Sequence, residues 1–391
     1  MRIFLSSQQA LRRHKVPGYS FWETYFKKGI EEAGHTWIEA TDADWAEGLV
    51  YFAPDELQKW RDRTWNRVLS DIKQQHKIKP IDLFLSYLFP KQVEPSAIKE
   101  IQALGIPCVN FFCDNVRELT KIPQPFHCFD LHWVPEFKAL KMYQQAKLNY
   151  IYAPMPVWIP PEQRKWSHPE NYGVSFIGSR DVQREKLLAE VLKLGIEVEI
   201  RGAAWSKDLS SSSPSSNLSI PQTIINQVEM ISSQGVNPWV NKIQSKFRPG
   251  VPDDVFAEFV KRKPDANEYV SIIQQSIITL GINRYPSFRH SFSNPDTYSR
   301  MRDIEAPMMG ACYLTEWTQG LEDLYELGEE IETYRTSEEM VEKIKRLKAD
   351  SNVRNKLRFN GQKRVFTNHT VAHSITKIAT FLNIHVGLKR S

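Results

Sequence analysis

Cysteine is scarce, and its spacing suits nothing but burial. Cys108, Cys113, Cys128 and Cys312 are spread over 391 positions. They form neither the paired C-x-x-C spacing of a zinc site nor the dense pattern of a disulfide framework, so buried, reduced thiols are expected. No stretch approaches the ~20 apolar residues of a membrane span, and MRIFLSS turns polar too early for a signal peptide. No transmembrane segment and a cytoplasmic location are therefore expected. A compact Lys/Arg stripe with interleaved aromatics is also missing; with a net charge of only +5, no stable nucleic-acid binding is expected. Internal sequence repeats are absent. The apolar (41%) and charged (25%) fractions exclude a mainly disordered chain and argue for packed globular domains.

What the chain does have is alternation. MRIFLSS, SFWETYFKKGIEEAG and HTWIEAT read as strand, helix and strand, with Gly34 placed to stop the helix. IDLFLSYLF, SAIKEIQALG, IPCVNFFCDN and DLHWVPE continue the rhythm, and their unbroken apolar runs suit parallel strands covered on both faces. Residues 1–155 thus read as one doubly wound domain. The proline-rich IYAPMPVWIPPE follows as a stiff connector. A second series occupies 156–391, running from YGVSFIGS and IEVEIRGAAW through YVSIIQQSIITLGINR and ACYLTE to SEEMVEKIKRLKAD. It is interrupted at about 206–265 by a serine-rich insertion expected to be flexible.

Ligands of doubly wound sheets bind beyond the carboxyl ends of the strands. In FIGSRDVQREK, Gly178 permits a tight turn, and Ser179, Arg180 and Arg184 fall at or near a helix N-terminus, which reads either as an anion site or as a solvated basic helix start. INR places Asn283 and Arg284 after another strand. In RDIEAPMMGACYLTE a short helix, a glycine stop and a buried strand are expected, with Pro307 tolerated in the first turn. Glu305 stands beside a thoroughly apolar run. A carboxylate there needs a partner, which is either Arg302 one turn earlier or a ligand. In NFFCDN, Asp114 and Asn115 close a strand, either as a local Asx turn or with Asp114 acting on an acceptor hydroxyl. Asp42 and Asp44 spell D-x-D, but as a turn after a first-domain strand rather than a metal site.

These segments together resemble the spore-maturation protein CgeB-like glycosyltransferase family, related to the family-four glycosyltransferases of GT-B fold. The resemblance rests on SRMRDIEAPMMGACYLTEWTQGLEDLYELGEEIETY and VFTNHT, supported by VSFIGS, FCDN and YAPMPV. It implies an α/β protein with two doubly wound Rossmann-like domains facing each other across a cleft. The first would be the acceptor side, and the second would hold a nucleotide-diphosphate sugar. By that resemblance Glu305 is the second glutamate of an E-x7-E motif and accepts bonds from the nucleotide ribose. The first glutamate falls at Thr297 and is missing. Arg184 corresponds to the basic residue that contacts the diphosphate, whereas Ser179 stands where a second arginine is usual. Arg180 or Arg284 would compensate, with Gly178, Asn283 and Arg302 completing the donor site. The implied enzyme is a retaining, metal-independent glycosyltransferase with no cofactor and an unidentified acceptor. An epimerase or hydrolase of nucleotide sugars, or a non-catalytic nucleotide-sugar-binding scaffold, is the alternative.

Overall fold

The computed structural model describes residues 1–12, 14, 20–50, 52–205, 250–287, 289–290 and 292–383. The chain divides into two units, one built from Met1–Trp158 and the chain from Thr367 onward, the other from Ile159–Phe366.

The first unit is a parallel sheet of β1 (Arg2–Ser7), β2 (Thr36–Ile38), β3 (Leu83–Tyr87), β4 (Cys108–Phe111), β5 (Leu131–Val134) and β6 (Tyr150–Tyr152), in the order β2-β1-β3-β4-β5-β6. Every residue of β3, β4 and β5 is buried, as their apolar runs require, while the edge strand β2 is only partly covered. Helix α1 (Ser20–Glu32) precedes a left-handed Gly34 at φ 75°. Helix α2 (Pro54–Ile78), which the alternation does not announce, begins on a proline, and Glu56 accepts from the Ala53 amide at 3.0 Å. It buries Trp60, Trp65, Val68 and Ile72. Short helices α3 (Pro95–Ala103), α4 (Asn115–Glu118) and α5 (Leu140–Gln145) follow.

The expected boundary gave everything after residue 155 to the second domain. The chain instead returns to the first unit through its last helix, Val371–Phe381, which packs against α1. The apolar stripe Val371, Ile375, Ile378 and Ala379 is buried there, and Gly29 makes the approach possible. A Cβ on Gly29 would lie 2.5 Å from Val371 Cγ2. Valine has little rotamer freedom in a helix to escape it. Gly29→Ala is expected to cost about 1–2 kcal/mol by overpacking, read as a lower urea midpoint and recovered in part by adding Val371→Ala. An unchanged midpoint would show that this helix does not depend on the close approach.

The second unit holds β7 (Tyr172–Ile177), β8 (Glu199–Arg201), β9 (Val260–Lys261), β10 (Ser276–Gly281), β11 (Tyr313–Glu316) and β12 (Glu332–Tyr334), all parallel, ordered β12-β11-β10-β7-β8-β9. Numbered within the unit this is the doubly wound order 3-2-1-4-5-6, whose switch point lies between β7 and β10. Its helices are α6 (Val182–Lys193), α7 (Ala266–Gln275), α8 (Arg302–Met308), α9 (Leu321–Leu324), α10 (Ser337–Ala349) and α11 (Ser351–Asn368); the last helix of the chain, Val371–Phe381, is α12.

Part of the expected insertion is core. β9 pairs with β8, and fully buried Phe256 meets the Trp205 ring at 5.2 Å, so residues from 250 onward complete the sheet. The serine run itself, within 206–249, lies outside the described residues.

Candidate functional site

At the switch point the chain leaves β7 through Gly178. A Cβ there would meet Phe176 Cζ at 2.7 Å, and one on Gly202, at φ 142°, would lie 2.1 Å from the Gly178 carbonyl. Both glycines serve this close approach, which Trp205 Nε1 seals by donating to Gly178 O at 2.7 Å. The start of α6 differs from the expected anion cradle. Asp181 Oδ1 already accepts from the amides of Gln183 and Arg184 at 2.9 and 3.0 Å, so the helix caps itself with its own carboxylate. Arg180 is likewise engaged within the protein. Its guanidinium donates to Glu185 at 2.7 Å, to Asp253 and to Val251 O, which leaves it tying α6 to the segment before β9. Ser179 is exposed, and its carbonyl and hydroxyl accept from Arg184 Nη1 at 2.9 and 3.2 Å.

Beyond β10, Asn283 and Arg284 are also engaged internally. Asn283 Nδ2 donates to Glu316 O at 2.8 Å and to Asp303 at 3.1 Å, and Arg284 Nε donates to Glu316 Oε1 at 2.7 Å. Asn283 is thereby occupied, while Arg284 is held in place by Glu316 and still lines a cavity at the sheet edge. Together they lock β10 to β11. The hub is Asp303, fully buried, which accepts from Tyr313 Oη at 2.8 Å, Thr315 Oγ1 at 3.0 Å and the Arg300 amide at 3.0 Å. Burial pushes its carboxyl above the ordinary range, against these bonds.

Helix α8 begins at Arg302, so Pro307 lies beyond its first turn. The carbonyl that Pro307 cannot serve is that of Asp303, and Tyr325 Oη donates to it at 2.6 Å. This is the tertiary repair that the sequence does not display. Gly310, at φ 78°, ends the helix as expected.

Glu305 is 2% exposed. It pairs with Arg302 at 3.2 Å and accepts from Tyr269 Oη of α7, while the Arg302 guanidinium also stacks 4.9 Å over the Tyr269 ring. Two further arginines gather here. Arg184 Nε stands 3.3 Å from Asp181. Arg300, absent from the expected set, packs 4.8 Å over Tyr298 and donates to Arg284 O at 3.0 Å. Burial, then the charge of Arg300, and more weakly that of Arg302, draw Arg184 down to about 10. An arginine so lowered is chiefly one withdrawn from water, and the neighbouring cations Arg300 and Arg302 add to the effect. Sequence reasoning missed Tyr269, for which there is no local signal, and Arg300, which S-R-M-R displays openly.

A cavity of about 410 Å³ opens at the ends of β10–β12, lined by Arg284, Thr297, Glu316, Trp317 and Arg335 with Lys186 of α6. Its ionic and hydroxyl lining suits a polar, hydroxylated ligand. Thr297, the position of the missing glutamate, forms an antiparallel bridge with Arg284.

In the first unit Asp114 is half-buried at the start of α4. Next to it Glu136, 1% exposed, accepts from the Asn115 amide at 2.7 Å. Burial and, after it, the Asp114 charge hold Glu136 at about 8. A carboxyl raised from 4.5 when folded stays protonated while the unfolded chain ionises. Stability should therefore fall between pH 4.5 and 8, by up to about 1.4 kcal/mol per pH unit from this group. Glu136→Gln is expected to flatten that slope in melting curves; an identical slope would show that Glu136 ionises normally.

Among the described residues no cluster of His, Cys, Asp and Glu could hold a metal ion. Of the D-x-D pair, Asp42 faces Arg67 at 3.1 Å and Asp44 faces His14 at 2.8 Å. No helix of the described residues is long and apolar enough to cross a membrane.

Two doubly wound parallel sheets, with a basic site at the carboxyl edge of the second, define a GT-B glycosyltransferase architecture. The chain belongs to the Glycosyl transferase-like family, whose model matches residues 183–380. The fold is similar to sucrose-phosphate synthase from Thermosynechococcus elongatus (11% identity, 98% of each chain, TM-score 0.57). It is also similar to a glycosyltransferase from Rickettsia africae (12%, 98% of this chain and 99% of that one, 0.57). A third is Anabaena Alr3699/HepE, solved in complex with UDP (11%, 98% and 100%, 0.53). No curated protein sequence matches.

Proposed function

We propose that the second unit takes a nucleoside-diphosphate sugar and that the enzyme transfers the sugar to an acceptor without a metal ion and with retention of configuration. The observation that carries this reading is the arginine-rich carboxyl edge of the second sheet, where Arg184 lies against the Gly178 turn, tied to Ser179, within reach of the charges of Arg300 and Arg302. Fixed guanidinium groups there would stabilise the departing diphosphate as charge develops on it. Family membership and the UDP bound by HepE support the same donor class. The motif R-D-I-E at 302–305 followed by the Gly310 turn supports the finer CgeB-like assignment. In this reading the acceptor falls to the first unit, where Asp114 closes β4.

The experiment is a thermal-shift screen of nucleoside diphosphates and their sugars, followed by product analysis. A ligand that binds only the native state raises its melting temperature. A shift with nucleoside diphosphates and sugar transfer from one of their conjugates are expected. No shift with any of them would sink the reading, and free sugar formed equally with and without acceptors would make the enzyme a hydrolase.

A further inference from the structure

Arg184, Arg300 and Arg302 gather near the edge of the second sheet, the charges of the latter two both acting on Arg184, yet only two of the three have a carboxylate. Asp181 answers Arg184 at 3.3 Å and Glu305 answers Arg302 at 3.2 Å. Among the described residues Arg300 makes no ion pair, and its Nε is buried without a hydrogen-bond acceptor. Nor is Asp303 its counterion in disguise, because that carboxylate is taken by Tyr313, Thr315 and backbone and amide donors. A buried cationic donor left unmatched is costly, so its persistence calls for an anion supplied from outside.

The side chain is also built to wait for one. Its Nη2 is fixed by the Arg284 carbonyl at 3.0 Å and its plane lies over the Tyr298 ring, so the group is oriented before any ligand arrives. Arg184 repeats the pattern: Nη1 is tied to Ser179 while its buried Nε also lacks a hydrogen bond among the described residues. The three arginines come from α6, from the segment before α8 and from α8 itself. A single small anion would engage one or two of these; a group with several charged oxygens can engage all three.

We propose that Arg300 is a binding residue for the pyrophosphate group of the donor, completing with Arg184 and Arg302 a three-arginine clamp. The proposal rests on the donor reading given above and adds a residue to it. Arg300 thereby adds to the α6 side of the site a donor from the segment just before α8. Sugar and base recognition lie elsewhere, and Arg300 contributes equally to any nucleotide.

Inorganic pyrophosphate, UDP and UMP would be titrated by calorimetry into the full chain and into Arg300→Ala and Arg300→Gln, the latter keeping a donor for the Arg284 carbonyl should the alanine variant fold poorly. Pyrophosphate and UDP affinity should each fall by about tenfold or more in both variants, the scale of one charge-assisted hydrogen bond, and UMP by less. The salt dependence of pyrophosphate binding should weaken as well. Wild-type protein that ignores pyrophosphate, or variants that bind it as tightly as wild type, would overturn the clamp. Pyrophosphate binding that depends on Arg300, in a protein that neither binds nor turns over nucleoside-diphosphate sugars, would keep the anion site and remove the transferase reading.

Discussion

Replacing Arg184 with alanine is expected to lower sugar-transfer turnover by on the order of 10²-fold or more, the usual loss for one preorganised charge stabiliser. A chelator should leave the wild-type rate nearly unchanged. Arg184 is held on both sides before any ligand binds, by the Ser179 carbonyl and hydroxyl at Nη1 and by Asp181 near Nε. Its charge costs no reorganisation at the moment the diphosphate leaves. The alternative neutraliser would be a divalent ion at Asp42 and Asp44. Those carboxylates belong to the first unit and are engaged with Arg67, His14 and the amides of Leu11 and Glu47. Activity abolished by chelator and rescued by magnesium or manganese, alongside an active Arg184→Ala enzyme, would reverse the assignment. Arg184→Lys separates charge from geometry: a lysine at the same place restores a point charge but not the planar fork, so only partial rescue is expected.

The strands were legible because parallel strands buried on both faces leave unbroken apolar runs, as in LFLSY and CVNF, and because glycines at 34 and 310 mark helix ends by a conformation other residues avoid. Destination was not legible. The apolar stripe of α12 does not say which core it joins, whereas in the structure it packs on α1 with Val371 close over Gly29. β9 was hidden for a different reason, being two residues long and falling within the stretch read as an insertion. At the site, the sequence announced charged residues but not their spending. Arg180, Arg284 and Asn283 look like free donors until Glu185, Asp253, Glu316 and Asp303 arrive from other elements to occupy them. Asp181 is the exception, since an aspartate just before a helix is a cap signal available from the sequence alone. Arg300 escaped notice because nothing local separates an arginine that will be paired from one that will not.

Glu305→Gln should separate the two roles open to this carboxylate. The glutamate is almost fully buried while Arg302 keeps 21% of its side chain exposed. Loss of the negative charge is expected to destabilise the unliganded protein by about 2–3 kcal/mol, below the 3–5 kcal/mol of a fully buried pair because Arg302 can still reach water. Arg302 would then be a third arginine repelled by Arg184 and Arg300 with no anion to answer it. Added pyrophosphate should therefore recover part of the lost melting temperature. The ligand series discriminates further. If Glu305 works by orienting Arg302, the variant should lose affinity for pyrophosphate and for UDP by the same factor, because the shared group is the diphosphate. If it accepts the ribose hydroxyls, UDP should weaken and pyrophosphate should not. The observed bonds to Arg302 and Tyr269 favour the first outcome. Tyr269→Phe provides the control, since it removes one donor to Glu305 and leaves both charges in place. It should cost less stability than Glu305→Gln, and it should leave pyrophosphate binding within about twofold of wild type if charge, rather than the Tyr269 hydrogen bond, governs the site. A tyrosine variant as damaging as the glutamine one would locate the effect in the packing between α7 and α8 and detach Glu305 from the anion site.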